Sequence, residues 1–361
     1  MHQENFAGNG RSSETVLYIA PANGHMRDAL RFFLQQSNAQ FEEMAGDIFA
    51  VSLGPGALDS LCAKLPDFLS DSELRETKSL AMPAGSQPNF SDLMRMEPLS
   101  SLIGKLRGDW LDDMTRGQRL TAHFQPIVYA DSPDQTFAFE AVLRGVGHNG
   151  ELILPNRLIT AARASDSVGE LDSAGVSTAL QLATQHQVSD FLFLGFHSDD
   201  VKSGEKFAKH VVQTAREVGI QPNTLVMTAL NADDAVDWPA MVAMMGMFRN
   251  VGLRCALGQM GARAGTLEIL RQARPDFVSL NEELCQNVHS DGFKAQSAAR
   301  LIESARSQGI GTIATGLQSE SEWAWMRGNG ADFVQGSLFA EAALPPPKPG
   351  LIDQGELPMA A

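Results

Sequence analysis

The chain has 361 residues and a formal net charge of −15, with no block of Lys and Arg that could follow a phosphate backbone, so groove binding to DNA or extended RNA is set aside. Its length accommodates one large domain of roughly 200 to 250 residues plus a smaller one. Three scattered cysteines, Cys62, Cys255 and Cys285, suit neither a disulfide framework nor a zinc site and point to the cytoplasm, no apolar run reaches the roughly 18 residues of a membrane span, and MHQENFAGNGRSS lacks the order of a signal peptide.

Residues 1–14 carry no periodicity and are expected to be disordered. From Thr15 the pattern reads strand (VLYIA), helix (HMRDALRFFLQQ), strand (DIFAVSL), helix (GALDSLCAKLPDFL) and a short apolar run (SLAMP), a small α/β domain over residues 15–83. AGSQPNFS then supplies turn residues without periodicity, as a linker does. Leu99, Leu102, Ile103, Leu106, Trp110 and Met114 recur at three- and four-residue steps, so residues 84–114 comprise linker and amphipathic helix, the helix serving either as a cap on the next domain or as a dimer or signalling element.

From His123 onward, apolar runs alternate with helical patterns. Strands are expected at HFQPIVYA, FAFEAVLRG, FLFLGF, TLVMTAL, RCALGQ, FVSLN, GTIATG and FVQGSL. Eight strands with helices between most of them fit an α/β fold of the TIM-like (β/α)8 kind over residues 115–345. The connection ADSPDQT is too short for a crossover helix, so the first strand should pair antiparallel with the second. Residues 346–361, rich in proline and unpatterned, read as a disordered tail.

Function in such barrels gathers where strands end. Those positions hold Glu140, Phe196, Thr228, Gly258 with Gln259, Ser279 with Asn281, Thr315 and Gln335, a set with one carboxylate. Hydrolysis assisted by Mg²⁺ or Mn²⁺ needs several hard anionic oxygens, and a metal-free acid/base route needs a carboxylate pair or a His. His197 follows Phe196, and alternation turns it to the other side, where packing or surface contact is expected.

The order QPI (125–127), EAVLR (140–144), P..LI (155–159), FHS (196–198), PDFVSLN (275–281), IATGL (313–317) and DFVQG (332–336) resembles the EAL domain, whose members hydrolyse cyclic di-GMP. The resemblance implies a modified barrel with an antiparallel first strand. It also implies acids, an Asn and a Lys at positions that here are Phe196, Thr228, Gly258, Gln259, Ser279, Thr315 and Gln318. Only Glu140 and Gln335 keep their family identities, so no Mg²⁺ or Mn²⁺ site and no phosphodiesterase activity are expected. By the same resemblance Gln125, Glu140, Leu143, Arg144, Asp332 and Gln335 line a nucleotide pocket, with Arg144 on a phosphate. The alternative is structural, with Glu140 and Arg144, four apart on one strand face, forming a buried pair.

GHMRDALRFFLQQ followed by AGDIFAVSLGPG resembles the helix and hairpin of a degenerate GGDEF domain; an unrelated sensor or docking domain is the other reading. The expectation is a catalytically silent EAL protein acting through a protein partner, with cyclic di-GMP as a ligand and a homodimer as its assembly. A cyclic di-GMP receptor stands second. Third is a residual phosphodiesterase using Glu140 with Asp199, Asp200 or Asp233.

Overall fold

The computed structural model of the chain describes residues 14–44, 46–86, 88–147, 150–165, 167–197, 204–230, 232, 238–263 and 265–351. Ala45, Asp199, Asp200 and Asp233 lie outside them, as do most of the expected terminal tails, and the side chain of Trp110 is likewise outside. The chain divides into two compact units, residues 1–113 with 160–167 and residues 114–159 with 168–361.

The first unit runs β1 (Thr15–Ala20), α1 (Gly24–Gln36), β2 (Gln40–Met44), β3 (Ile48–Leu53), α2 (Ala57–Lys64), α3 (Asp71–Glu76), β4 (Lys78–Pro83), α4 (Phe90–Leu93) and β5 (Glu97–Pro98). Its sheet has the order β2-β3-β1-β4-β5, antiparallel at every step. Met26, Leu30, Phe33 and Leu34, at helical spacing on α1, are buried in a core that includes Leu17, Ile19, Phe49 and Val51. Besides the short α4 and β5 inside or just after the expected linker, two elements here escape the sequence reading. Strand β2 is the polar edge QFEEM, which turns Phe41 toward Phe49 and leaves Glu42 and Glu43 exposed, so it has no apolar alternation to betray it. Helix α3 is opened by a capping box in which Ser70 and Glu73 satisfy each other's backbone N–H groups.

Helix α5 (Leu99–Arg116) leads to the second unit. There β6 (Leu120–Tyr129), β7 (Ser132–Val146), β9 (Phe191–His197), β10 (Leu225–Leu230), β11 (Arg254–Met260), β12 (Phe277–Leu280), β13 (Gly311–Ala314) and β14 (Phe333–Val334) close into a barrel of eight strands, with the short β8 (Leu152–Ile153) paired to β7. Neighbours from β7 through β9 to β14 are parallel, whereas β6 is antiparallel to both β7 and β14. The short connection after β6 permits only that direction. The helices after β8 are α6 (Pro155–Ala164), α7 (Val168–Gln185), α8 (Gly204–Glu217), α9 (Trp238–Asn250), α10 (Thr266–Ala273), α11 (Glu282–Cys285), α12 (Gly292–Ser307) and α13 (Glu320–Gly328). Outward residues such as Leu192, Met227, Leu257 and Val278 pack with buried residues of these helices, including Met241, Met244 and Met245.

Inside the lumen, Ile127, Ala138, Phe193, Val226, Ala256, Phe277 and Ile313 form a separate apolar layer. Below it Phe137 and Phe333 stack at 3.8 Å, flanked by Phe191 and Tyr129, so aromatic rings fill the end of the barrel where the parallel strands begin. The dipeptide Asp-Phe opens two of these strands in the same way. Asp276 accepts a hydrogen bond from Cys255 N–H at 2.8 Å, and Asp332 accepts from Thr312 N–H at 2.9 Å and Thr312 Oγ1 at 2.8 Å. Each carboxylate thereby ties the start of its strand to a neighbouring strand, while Phe277 and Phe333 turn inward. Asp332 therefore stands at the end of β14 opposite the barrel mouth, which corrects its assignment to a nucleotide pocket.

Replacing Asp332 with Ala should leave the Thr312 amide without its acceptor and lower stability by about 2 kcal/mol, measured by urea unfolding; an unchanged midpoint would refute the strand tie.

Candidate functional site

The strands end at a cavity of about 310 Å³ lined by polar side chains from nearly every barrel strand. A second, more apolar cavity of about 350 Å³ lies beside it, among β7, β9, the start of α6 and α7, and shares Glu140, Leu230 and Gln259 with the first. Both belong to the barrel unit.

Glu140 reaches the mouth from β7. Gln335, 3% exposed and just past β14, donates from Nε2 to Glu140 Oε2 at 2.8 Å, and Gln125 faces Glu140 across the β6–β7 pair. Gln125 is itself held by donating to the Ala340 carbonyl at 3.1 Å. Burial pushes the Glu140 carboxyl above the usual carboxylate range, and the Gln335 hydrogen bond opposes this more weakly. Glu140 forms no ion pair among the described residues. In particular it is not paired with Arg144, since four strand residues span roughly 13 Å. The Arg144 guanidinium instead donates to the Leu143 carbonyl at 3.2 Å, is lowered in pKa by burial, and is absent from the lining of both cavities. Leu143 lines the second cavity, where its side chain packs over Gly175.

The other expected positions divide by strand parity. Thr228, Gly258, Gln259, Ser279, Thr315 and Gln318 all line the mouth. Phe196 does not. It is fully buried on the outside of the barrel, edge-on to Phe248 of α9 at 5.1 Å, because the inward series on β9 is Phe193, Gly195 and His197. The cavity-side residues at the end of β9 are thus Gly195 and His197, which line the second cavity, although His197 was expected on the opposite face from Phe196. There its Nδ1 lies 2.8 Å from Asp172 Oδ1, and its backbone N–H donates to Asp172 Oδ2 at 2.8 Å.

Two glycines are matched to neighbouring side chains. A Cβ built on Gly258 would lie 2.9 Å from Thr228 Cγ2 and 3.0 Å from the Ala229 carbonyl oxygen, and one on Gly195 would lie 2.8 Å from Leu230 Cδ1. Thr228 and Leu230 therefore occupy the space that larger residues at 258 and 195 would need. Gln259 sits at a bulge in β11 with φ +57°, a conformation that favours glycine, and its N–H donates to Ser279 Oγ at 3.0 Å. Thr315 Oγ1 donates to the Leu280 carbonyl at 2.6 Å. Thr228, 6% exposed, differs from both in that its Oγ1 has no partner among the described residues.

Two carboxylates escaped the strand-end reading. Glu282 opens α11 directly after β12 and Asn281, and its side chain crosses Gly316, where a Cβ would lie 2.3 Å from Glu282 Cγ. Glu341 belongs to the segment that returns from β14 to bridge β6 through Ala343 and Phe124. Both line the mouth, so the cavity carries three carboxylates, with no Lys, Arg or His among its described lining residues.

This set does not fit the pair of divalent metals that the family resemblance implies. The lone strand-end acid is committed to Gln335, the hydroxyls of Ser279 and Thr315 are engaged with backbone groups, and no three His, Cys, Asp or Glu side chains among the described residues converge on a metal-sized site. The thiols of Cys255 and Cys285 are pushed up to about 12 by burial and offer no nucleophile.

The family model described as "EAL domain" matches residues 108–342. Among curated relatives, the blue light- and temperature-regulated antirepressor BluF of Escherichia coli K12 is 32% identical over 93 residues, which are 26% of this chain and 23% of that protein. The cyclic di-GMP phosphodiesterase PdeL of the same organism is 23% identical over 144 residues, 40% of this chain and 38% of its own. The chain thus spans less than two fifths of the length of either relative. Among solved structures, Klebsiella pneumoniae BlrP1 in its manganese and cyclic di-GMP complex aligns with TM-score 0.57 at 17% identity, over 91% of this chain and 96% of that one. At that identity the likeness is one of fold.

Glu140→Gln tests the electrostatics of the mouth. A carboxyl whose folded-state pKa is raised costs nothing below the unfolded value near 4.3, and the cost of its charge grows as pH rises through the folded value. The variant should unfold roughly 2 °C or more above the parent at pH 8, with the gap closing towards pH 4. A gap independent of pH would contradict a desolvated Glu140.

Proposed function

The chain belongs to the EAL domain family, and from that premise we propose that it is a catalytically silent member that acts by binding a partner protein through its barrel unit. The observation that carries this reading is the refilled mouth. The positions at which the resemblance implies acids and a lysine hold Thr228, Gly258, Gln259, Ser279 and Thr315, and the Gly258–Thr228 and Gly195–Leu230 contacts leave little room for a metal-binding side chain to return. Activation of water needs a metal or a carboxylate pair in contact with it. Glu140 is tied to Gln335, and Glu282 and Glu341 reach the mouth from loops without converging with it on one metal-sized site among the described residues. The relative BluF is named as an antirepressor and not as a phosphodiesterase, which favours the same direction.

Cyclic di-GMP as the main input is the second reading. It is favoured by the retention of Gln125, Glu140 and Gln335 at the mouth and by BlrP1, a structure of the same fold solved with that nucleotide. Against it stand three carboxylates that would face the two phosphates, and an Arg144 whose guanidinium lines neither cavity.

Calorimetric titration with cyclic di-GMP, once with Mn²⁺ and once with EDTA, followed by analysis of the recovered nucleotide, separates these readings. The silent scaffold returns intact nucleotide from both buffers and binds at best weakly; linear product that depends on Mn²⁺ and is lost in Glu140→Gln would overturn the proposal. Placing acids back at Gly258→Asp with Gln259→Asp should not restore turnover, because Thr228 and Ala229 block the first carboxylate, and should cost about 1–3 kcal/mol in stability.

A further inference from the structure

Asp172 and His197 form a fixed pair on the wall of the second cavity. Asp172, 8% exposed, accepts the His197 backbone N–H at Oδ2, and its Oδ1 lies 2.8 Å from His197 Nδ1. An ionised carboxylate can only accept, so the shared proton sits on Nδ1, and in the neutral ring Nε2 is left as the acceptor. Nε2 has no hydrogen-bond partner among the described residues and, unlike Thr228 Oγ1, is not sealed off from solvent.

Most of the remaining wall is apolar, with Leu143, Leu158, Leu171 and Leu194 around a space of about 350 Å³, a volume within the range of small-molecule sites. The pair therefore offers one directed hydrogen bond in an otherwise apolar hole. The described lining carries Glu140 and Asp172 but no Lys or Arg, which disfavours an anion. A cation would exchange its hydration for aliphatic walls, with Asp172 already committed to His197.

We infer that the second cavity is a binding site for a small neutral ligand with an apolar body and one O–H or N–H donor, of the alkylphenol or indole kind. The ligand donates to His197 Nε2, and its body lies against the leucines. Asp172 is a positioning residue, which fixes the ring and its tautomer. This site goes beyond partner binding and does not depend on it.

The test is a calorimetric titration of the full chain at pH 8 with three probes: 4-propylphenol, its methyl ether 4-propylanisole, which lacks the donor, and phenol, which lacks most of the body. 4-Propylphenol should bind about tenfold more tightly than the ether, the effect of one directed hydrogen bond, and about tenfold or more above phenol, the effect of the buried propyl group. In His197→Phe, which keeps a ring and removes the acceptor, the preference over the ether should vanish. In Asp172→Asn the amide carbonyl can keep the His197 N–H while its NH₂ donates to Nδ1, which moves the ring proton to Nε2; the preference over the ether should fall to about twofold or less, with the preference over phenol retained. Circular dichroism checks that both variants fold. Equal affinity for 4-propylphenol and its ether in the parent, an unchanged preference in His197→Phe, or no binding of either at the solubility limit would overturn the site. A preference unchanged in Asp172→Asn would overturn the positioning role of Asp172.

Discussion

A closed barrel sends every second side chain of each strand into one shared lumen, so whatever stands at one inward position limits what its neighbour can be. At this mouth the limit is visible in two contacts: Thr228 occupies the space beside Gly258, and Leu230 occupies the space above Gly195. Neither pair is a simple deletion. In each pair the neighbouring side chain stands where the glycine's Cβ would be, while the cavities remain open beside both. The sealed aromatic end of the lumen obeys the same rule, with Phe137 stacked on Phe333.

Charge follows from that packing. Uncharged residues at 258, 259 and 279 leave Glu140 as the strand-end acid, and Gln335 meets it with a neutral donor instead of a cation. Burial raises the side chain's pKa, and the neutral donor offsets that rise less than a cation would. The rim adds Glu282 and Glu341 from outside the strands. The result is a recess lined by three carboxylates, with no cation among its described lining residues.

The barrel was legible in the sequence because its strands are apolar runs bounded by turn residues, and the antiparallel first strand was legible because ADSPDQT cannot contain a crossover helix. Side-chain direction was less so. FLFLGF alternates two apolar sets that differ little in hydropathy, and the inward residue at its end is a glycine with no side chain to declare a face, so Phe196 was placed on the cavity side where Gly195 stands. Asp332 was misplaced for a different reason. It begins its strand, and a strand's first residue lies at the far end from the mouth, a distinction that DFVQG makes readable once Asp276 is compared with it. Glu282 and Glu341 left no strand signal because they follow the strands and reach the mouth only through the loops that carry them.

One local feature links the chemistry of the mouth to its rigidity. Gln259 holds a left-handed φ of +57° at a bulge, a conformation of modest cost for a residue with a side chain, and its N–H is secured by Ser279 Oγ. A bulge re-aims successive side chains, which is why both Gly258 and Gln259 line the mouth although neighbours on a regular strand would face opposite ways. That geometry brings two consecutive residues to one site, an arrangement suited to paired ligands. With Gly and Gln in those places the geometry remains and the charge does not. Two carboxylates there, without a metal, would repel each other and the buried Glu140; neutral residues avoid that repulsion and leave a fixed, pre-ordered rim. Pre-ordering lowers the entropy lost when any ligand meets that rim.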